Sequence, residues 1–197
     1  MKVIGLTGRY NSGKNYIASL LEQKGATLID VDTYGYEARE SAKERLVEAF
    51  GSEVLTSTAE IDRSFLREIV FSDSKNLKVL ESIVHPQMVK MVQKQIKEHK
   101  QRGTKALVIN AALLQRMNLH KECDAIIYLY APCFGRLFRA IKRDSISCSS
   151  FVRIEKAQKD ITKKGLKGTF SVTKVTNWGP KAFIYRQVDK FWASMDV

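Results

Sequence analysis

The stretch GRYNSGKN, Gly8 to Asn15, nearly matches the phosphate-binding pattern G-x-x-x-x-G-K-S/T. In a loop of this kind, backbone N–H groups surround a phosphate, the following helix adds its partial positive charge, and the lysine reaches the terminal phosphates. The alternative is an ordinary glycine turn between a strand and a helix in a protein that binds another ligand. We predict a nucleotide site whose binding residues are Gly8, Asn11, Ser12, Gly13, Lys14, Asn15 and Tyr16.

Asn15 occupies the position where the pattern has serine or threonine, whose hydroxyl binds Mg²⁺ in phosphate-loop enzymes. The amide oxygen of asparagine is also a hard, neutral ligand that suits Mg²⁺. The asparagine side chain is longer than that of serine, so direct binding would need a shifted metal ion or a bridging water. Asn15 is therefore a candidate metal ligand, and the length of its side chain is the argument against direct binding.

Asp32 follows the second predicted strand, Ala26–Val31. Ligands of open parallel sheets bind at the carboxyl ends of the strands, beside the phosphate loop. A carboxylate at this edge can accept a proton from an attacking hydroxyl or help to hold Mg²⁺. The alternative role is an N-cap for a helix that starts near Thr33. The residues alone leave both roles open.

Arg136, Arg139 and Arg143 are spaced so that they share one face of a predicted basic helix, Cys133–Asp144. A row of arginines beside a phosphate site can neutralise the charge of a phosphoryl group in transfer. The alternative is a basic face in contact with solvent.

Five short apolar segments alternate with helical patterns, which is typical of a parallel sheet covered by helices on both faces. The predicted strands are Lys2–Thr7, Ala26–Val31, Lys105–Asn110, Asp124–Tyr130 and Val172–Asn177. The predicted helices are Lys14–Lys24, Thr33–Phe50, Ile61–Phe71, Asn76–Arg102, Cys133–Asp144, a segment from Ser150 onward and Lys181–Met195. We expect Pro86 to break the fourth helix, because proline lacks the N–H donor that a helix interior uses.

The chain has 197 residues, which corresponds to one domain, and a net charge of +12. Positive charge favours polyanionic partners, either nucleic acids or small ligands with several phosphates. No motif of a nucleic-acid-binding module is present, so nucleic acid is the less favoured partner. The three cysteines lack metal-ligand spacing, and no signal-peptide or membrane-spanning pattern is found. We therefore expect a reduced, cytoplasmic protein without membrane association.

Several segments, in shared order and spacing, resemble the dephospho-coenzyme A kinase family over nearly the whole chain. The opening, from Ile4 to Asp32, is similar to the family's GLTGGIGSGKS and its strand ending in D-x-D. IDRSFLREIVFSD resembles the family's D-R-x-x-L-R-x-x-V-F, and LESIVHP resembles its L-x-x-I-x-H-P. RAIKRD, RIEKAQ and VTNWG resemble its R-x-x-x-R-D, R-I-x-x-Q and N-x-G segments.

The resemblance implies an α/β, three-layer P-loop NTPase fold with a parallel sheet. It implies one kinase domain over 1–197, a helical CoA-binding insert at 53–102 and a helical lid at 139–170. The implied reaction transfers phosphate from ATP, with Mg²⁺, to the ribose 3′-hydroxyl of dephospho-CoA, in a monomer or weak oligomer. Its implied residues are Asp32 as base, Lys14, Arg139 and Arg143 on the phosphates, Arg67 and His85 on dephospho-CoA, and Asn177 and Gly179 near adenine.

This chain departs from the family pattern at the phosphate and metal end of the site. Arg9, Tyr10 and Asn11 stand where the family has glycine, isoleucine and glycine. The family's D-x-P-L-L-x-E is present as NAALLQR, so its two acids are Asn110 and Arg116. Four functions stay open: an active kinase with an altered metal shell, an impaired relative that binds nucleotide or CoA, a P-loop kinase for another hydroxyl substrate, and, least favoured, a nucleic-acid-binding protein.

Overall fold

Five parallel strands form one sheet in the computed structural model, in the order β2-β3-β1-β4-β5. The structure describes residues 1–168 and 170–196, apart from the side chains of residues 71, 72 and 74. β1 and β3 are almost entirely buried, as expected for strands that are covered on both faces. The predicted parallel sheet is therefore confirmed, and its strands are β1 (Lys2–Thr7), β2 (Thr27–Asp30), β3 (Ala106–Asn110), β4 (Ala125–Tyr130) and β5 (Ser171–Thr176).

Helices lie on both sides of the sheet. The α-helices of the described residues are α1 (Lys14–Gln23), α2 (Gly35–Ser41), α3 (Lys43–Phe50), α4 (Arg63–Ser72), α5 (Ser74–Gln101), α6 (Cys133–Asp144), α7 (Cys148–Ala157) and α8 (Lys181–Ala193). No helix among the described residues is both long and apolar enough to cross a lipid bilayer.

The chain divides into two compact units. The first unit joins Met1–Asp30 to Ile96–Val197 and contains the whole sheet. The second unit, Val31–Gln95, contains α2, α3, α4 and most of α5. The first unit therefore holds the phosphate loop, and the second holds most of the predicted insert.

The sheet register determines which residues meet at its carboxyl edge. β1 is central, and Leu6 of β1 lies beside Asn110 of β3, which in turn lies beside Asp30 of β2. The loop after β1 therefore leaves the middle of the sheet at the edge where ligands of such folds bind. One face of the sheet packs on α1 and α8 through a cluster that includes Ile4, Leu6, Ile17, Leu21, Ile127, Ile184, Val188 and Phe191.

The expected break at Pro86 is wrong, because α5 runs without interruption from Ser74 to Gln101. Proline in a helix interior costs about 3 kcal/mol. Burying one large apolar side chain returns roughly 1.5–3 kcal/mol. Such side chains lie on both sides of the proline, and together they outweigh its cost: Ile83, Val84, Met88 and Val92.

The predicted helix Thr33–Phe50 is also wrong as a single element. Residues Val31–Tyr34 form a 3₁₀ helix, and the α-helical part is interrupted at Ala42, where φ is −108° and ψ is 13°. Ala38, Ala42 and Leu46 are buried at a four-residue spacing. The interruption therefore falls at a buried position, between two other buried residues.

Candidate active site

The loop between β1 and α1 has no room for side chains at two of its glycines. A Cβ on Gly8 would lie 2.5 Å from the carbonyl oxygen of Leu129. Gly13 has a φ of 92°, and a Cβ there would lie 2.1 Å from Nδ2 of Asn177. Glycine is therefore required at both positions of the G-x-x-x-x-G-K pattern by close packing and by backbone conformation.

Carbonyl groups of the loop are held by donors from α6 and from the end of β5. Nη1 of Arg139 donates to the carbonyl oxygens of Asn11 (3.0 Å) and Ser12 (3.4 Å). Nδ2 of Asn177 also donates to the Ser12 carbonyl (2.7 Å), and Nη2 of Arg139 donates to the Asn177 carbonyl (3.1 Å). Since N–H and C=O of a trans peptide point in opposite directions, the bonds to the Ser12 carbonyl turn the N–H of Gly13 away from α6, whereas the N–H of Ser12 donates to the Arg9 carbonyl within the loop (3.0 Å).

A second set of contacts surrounds the side chain of Asn11. Nη2 of Arg143 donates to Oδ1 of Asn11 (2.6 Å), and Nδ2 of Asn11 donates to Asp144 (3.0 Å). Asp144 also accepts from the Tyr10 hydroxyl and from Nε of Arg143 (2.6 Å). The Arg143 hydrogen bond, followed by that of Tyr10, holds the pKa of Asp144 well below its ordinary value. Asn11 is in the left-handed region (φ 56°), and these bonds hold it there.

Arg136 does not belong to a solvent-exposed basic face. It is 3% exposed, and Nη2 lies 2.6 Å from Glu155 of α7, while Nη1 donates to the Tyr10 carbonyl (3.3 Å). Arg9 contacts the same carboxylate at 3.4 Å and donates to the carbonyl oxygens of Ile161 and Lys159. The Arg136 hydrogen bond is the main reason why the pKa of Glu155 is lowered. This network joins the loop to α6, α7 and the segment after α7.

Arg139 carries a positive charge with no carboxylate partner among the described residues. Burial lowers the pKa of its guanidinium, and the charges of Arg136 and Arg143 lower it further. Each guanidinium has five N–H donors, and the bonds to the loop do not use all of them. A bound phosphate would offset the repulsion among the three arginines.

A cavity of about 270 Å³ lies beside the loop and is lined by Arg9, Ser12, Tyr130, Arg136 and Glu155, among others. Its lining includes neither Gly13 nor Lys14, which lead into α1. Phosphates prefer a helix N-terminus, where backbone N–H groups are free to donate. We therefore do not assign this cavity to the nucleotide phosphates.

The loop residues fit a nucleotide phosphate, and Asn15 fits a magnesium ion that a nucleotide brings with it. Ser12 is 1% exposed, and its hydroxyl oxygen has no hydrogen-bond partner among the described residues. Within the same part of the chain, no group of three or more His, Cys, Asp or Glu forms a ready-made metal site. Mg²⁺ usually binds through few protein ligands together with substrate phosphates. Oδ1 of Asn15, at an exposed position on the first turn of α1, is suited to that arrangement.

Four predicted nucleotide-binding residues have distinct positions in the structure. Lys14 and Asn15 begin α1 directly after the loop. The ring of Tyr16 packs against the core cluster and lies edge-on to Tyr185, with the ring centroids 6.4 Å apart. Gly179 follows Asn177 and Trp178 in the turn after β5 and has a φ of 108°.

The predicted acceptor-side residues all belong to the second unit, Val31–Gln95. Asp32 is exposed and lies within a 3₁₀ helix, two residues after the end of β2. Arg67 is exposed on α4, and His85 is half-buried on α5, next to Pro86. The phosphate loop, Arg139, Arg143 and Asn177 belong to the first unit.

Sequence reasoning missed four residues that brace the loop and the segment after α7. Besides Asp144 and Glu155, Gln158 accepts from the backbone N–H of Tyr10 (2.7 Å). Asp160 accepts from Nε of Arg116 (2.7 Å) and from its Nη2 (2.6 Å), and Arg116 stands where the family pattern has an acid. Asp144, Glu155 and Gln158 occur inside the RAIKRD and RIEKAQ motifs, which were the available signal.

Comparison with known proteins places these features in a family. A family model described as dephospho-CoA kinase matches residues 2–176. A dephospho-CoA kinase of Borreliella burgdorferi is 35% identical over 192 residues, which cover 95% of this chain and 91% of that protein. A crystal structure of a Thermus thermophilus protein has a TM-score of 0.79 and 26% identity, covering 98% of this chain and 97% of that one. Since the family model spans most of the sequence and the relative is similar over nearly its full length, the chain belongs to the dephospho-CoA kinase family.

Proposed function

We propose that this protein transfers the γ-phosphoryl group of ATP to the ribose 3′-hydroxyl of dephospho-CoA, which yields coenzyme A and ADP. The observation that carries the proposal is the loop from Gly8 to Gly13, whose carbonyls are held by Arg139 and Asn177. The N–H of Gly13 is thereby directed to the other side, where a phosphate can accept from it. The family membership supports the choice of the acceptor.

The proposed chemistry assigns a separate task to each charged residue. Asp32 accepts the proton of the 3′-hydroxyl while that oxygen bonds to the γ-phosphorus and the bond to the ADP oxygen breaks. Lys14 contacts the terminal phosphates, and Arg139 and Arg143 neutralise charge on the transferring group through donors that the loop does not use. Mg²⁺, when bound with the nucleotide, supplies further neutralisation, and Asn15 is the residue of this chain best suited to contact it.

The remaining assignments follow the same proposal. The helical insert at 53–102 would receive dephospho-CoA through Arg67 and His85, and the segment 139–170 would act as the lid. Asn177 and Gly179 would border the adenine of ATP, beside the exposed ring of Trp178. We further propose a cytoplasmic monomer or weak oligomer, and the +12 charge then serves the many phosphates of the two substrates rather than nucleic acid.

The test is an ADP-release assay with dephospho-CoA across Mg²⁺ and Mn²⁺, with Asp32→Asn as the matched variant. We expect ADP formation that requires dephospho-CoA and a divalent metal ion, and that falls by about 100-fold or more in Asp32→Asn. No ADP above background from a folded sample would contradict the proposal. Activity that arises only in Asn15→Ser/Asn110→Asp would instead indicate an impaired relative that binds nucleotide without turnover.

A further inference from the structure

We propose that Asn110 is a positioning residue for the metal-bound nucleotide, acting through a hydrogen bond that orients the side-chain amide of Asn15. This inference rests on the proposed function and deepens it. Nδ2 of Asn110 donates to Oδ1 of Asn15 at 3.1 Å. Both residues belong to the unit that contains the sheet, and both stand at positions where the family pattern has another residue type.

The sheet register explains why the two side chains meet. Asn110 is the last residue of β3, and its neighbour across the sheet is Leu6, the penultimate residue of β1. The loop after β1 returns to the sheet edge and begins α1 with Lys14 and Asn15. The end of β3 therefore lies under the first turn of α1, where the residue after the lysine is held.

The burial of Asn110 indicates that the contact is more than a surface hydrogen bond. Asn110 is 1% exposed, and its own Oδ1 has no partner among the described residues. A buried acceptor without a partner is destabilising, and a polar residue kept in such a place calls for a functional reason. The bond to Asn15 supplies one, because it is the contact that the described structure shows for this side chain.

The geometry leaves one lone pair of the Asn15 oxygen available. An amide oxygen has two lone pairs, and Asn110 occupies one of them. Asn15 is exposed, so the second lone pair can face a metal ion held by nucleotide phosphates, directly or through water. Hydrogen bonds from a second residue commonly fix the orientation of a metal ligand and strengthen metal binding. The two departures from the family pattern are therefore complementary: an amide–amide pair replaces a hydroxyl and a carboxylate.

The experiment measures ADP affinity by calorimetry in Mg²⁺ and in EDTA. The readout is the Mg²⁺ enhancement, which is the ADP affinity in Mg²⁺ divided by that in EDTA. We expect Asn110→Leu to reduce the Mg²⁺ enhancement by about tenfold while ADP affinity in EDTA stays near that of the wild type. Thr7→Val is the matched control, because Thr7 is also buried at a strand end and bonds Ala112 rather than the loop. We expect this control to keep the full enhancement.

A double-substitution cycle tests whether Asn110 acts through Asn15. Asn15→Ala should reduce the enhancement by a similar factor, and adding Asn110→Leu to it should cause no further loss. If Asn110→Leu does not fold, Asn110→Ser replaces it, since serine is too short to reach Asn15. An unchanged enhancement in either variant, or additive losses in the cycle, would overturn the inference alone. Wild-type protein that binds no ADP in either condition would overturn the proposed function as well.

Discussion

Replacing Glu155 by glutamine tests how strongly the buried charge network holds the phosphate loop. Glu155 pairs with Arg136, whose side chain is 4% exposed, and also with Arg9. Glutamine keeps the shape of the side chain but removes its charge, and its NH₂ group would face the N–H donors of Arg136. The substitution therefore leaves Arg136 buried without an anionic partner.

The expected loss follows from this burial. Breaking a buried ion pair by removing one partner costs about 3–5 kcal/mol. The Glu155 side chain is 17% exposed, so we take the lower end, about 3 kcal/mol. For a chain of this length, 1 kcal/mol lowers the melting temperature by about 2–4 °C, so the expected decrease is about 6–12 °C.

The assay is thermal and urea unfolding of the wild type, Glu155→Gln and a control, Asp189→Asn. Asp189 pairs with Lys24, but its side chain is 57% exposed. Exposed ion pairs contribute less than about 1 kcal/mol, so the control should unfold close to the wild type. If the melting temperature of Glu155→Gln decreases no more than that of the control, the Glu155–Arg136 pair does not stabilise the fold as a buried ion pair, and the reasoning is refuted.

The pH dependence supplies a second check with a definite sign. Arg136 holds the pKa of Glu155 below its ordinary value in the folded protein. The ionised carboxylate therefore stabilises the fold at neutral pH, and this contribution is lost as the pH falls below about 4 and through the folded pKa. The stability difference between the wild type and Glu155→Gln should be largest at neutral pH and should shrink in acid. A difference that grows on acidification would contradict the assignment.

Three further substitutions have clear expectations. Gly8→Ala should weaken ADP binding by at least about tenfold in calorimetry, because its Cβ would collide with the Leu129 carbonyl and shift the loop donors; unchanged affinity would contradict the close packing. Asn177→Ala should lower the free energy of unfolding, measured by urea denaturation, by about 1–2 kcal/mol, because the Ser12 carbonyl loses a 2.7 Å hydrogen bond. An unchanged free energy would mean that the hydrogen bond from Arg139 is enough to hold this carbonyl. Pro86→Ala should raise the melting temperature, because it restores a helix donor inside α5 and is worth up to about 3 kcal/mol; a lower value would indicate that the proline itself is needed.

The secondary structure shows how far local patterns reach. β1, β3 and β4 were predictable because buried parallel strands are continuous apolar runs, whereas β2 and β5 are only partly buried. The predicted bounds of all five strands differ from the structure by at most one residue. The continuity of α5 through Pro86 was not predictable from the sequence. A local rule gives the free-energy cost of the missing N–H donor. The apolar side chains that keep α5 continuous stabilise it only when they are buried in the tertiary structure.

The candidate site divides in the same way. The sequence by itself determined the phosphate loop, the glycines at Gly8 and Gly13 and the family, because each rests on residue types at fixed spacing. Only the tertiary structure decided that Arg139 donates to loop carbonyls, that Arg136 is buried against Glu155, and that Asn110 donates a hydrogen bond to Asn15. These contacts join residues 19 to 128 positions apart, and such distances along the chain are closed by sheet register and helix packing, which no local pattern encodes.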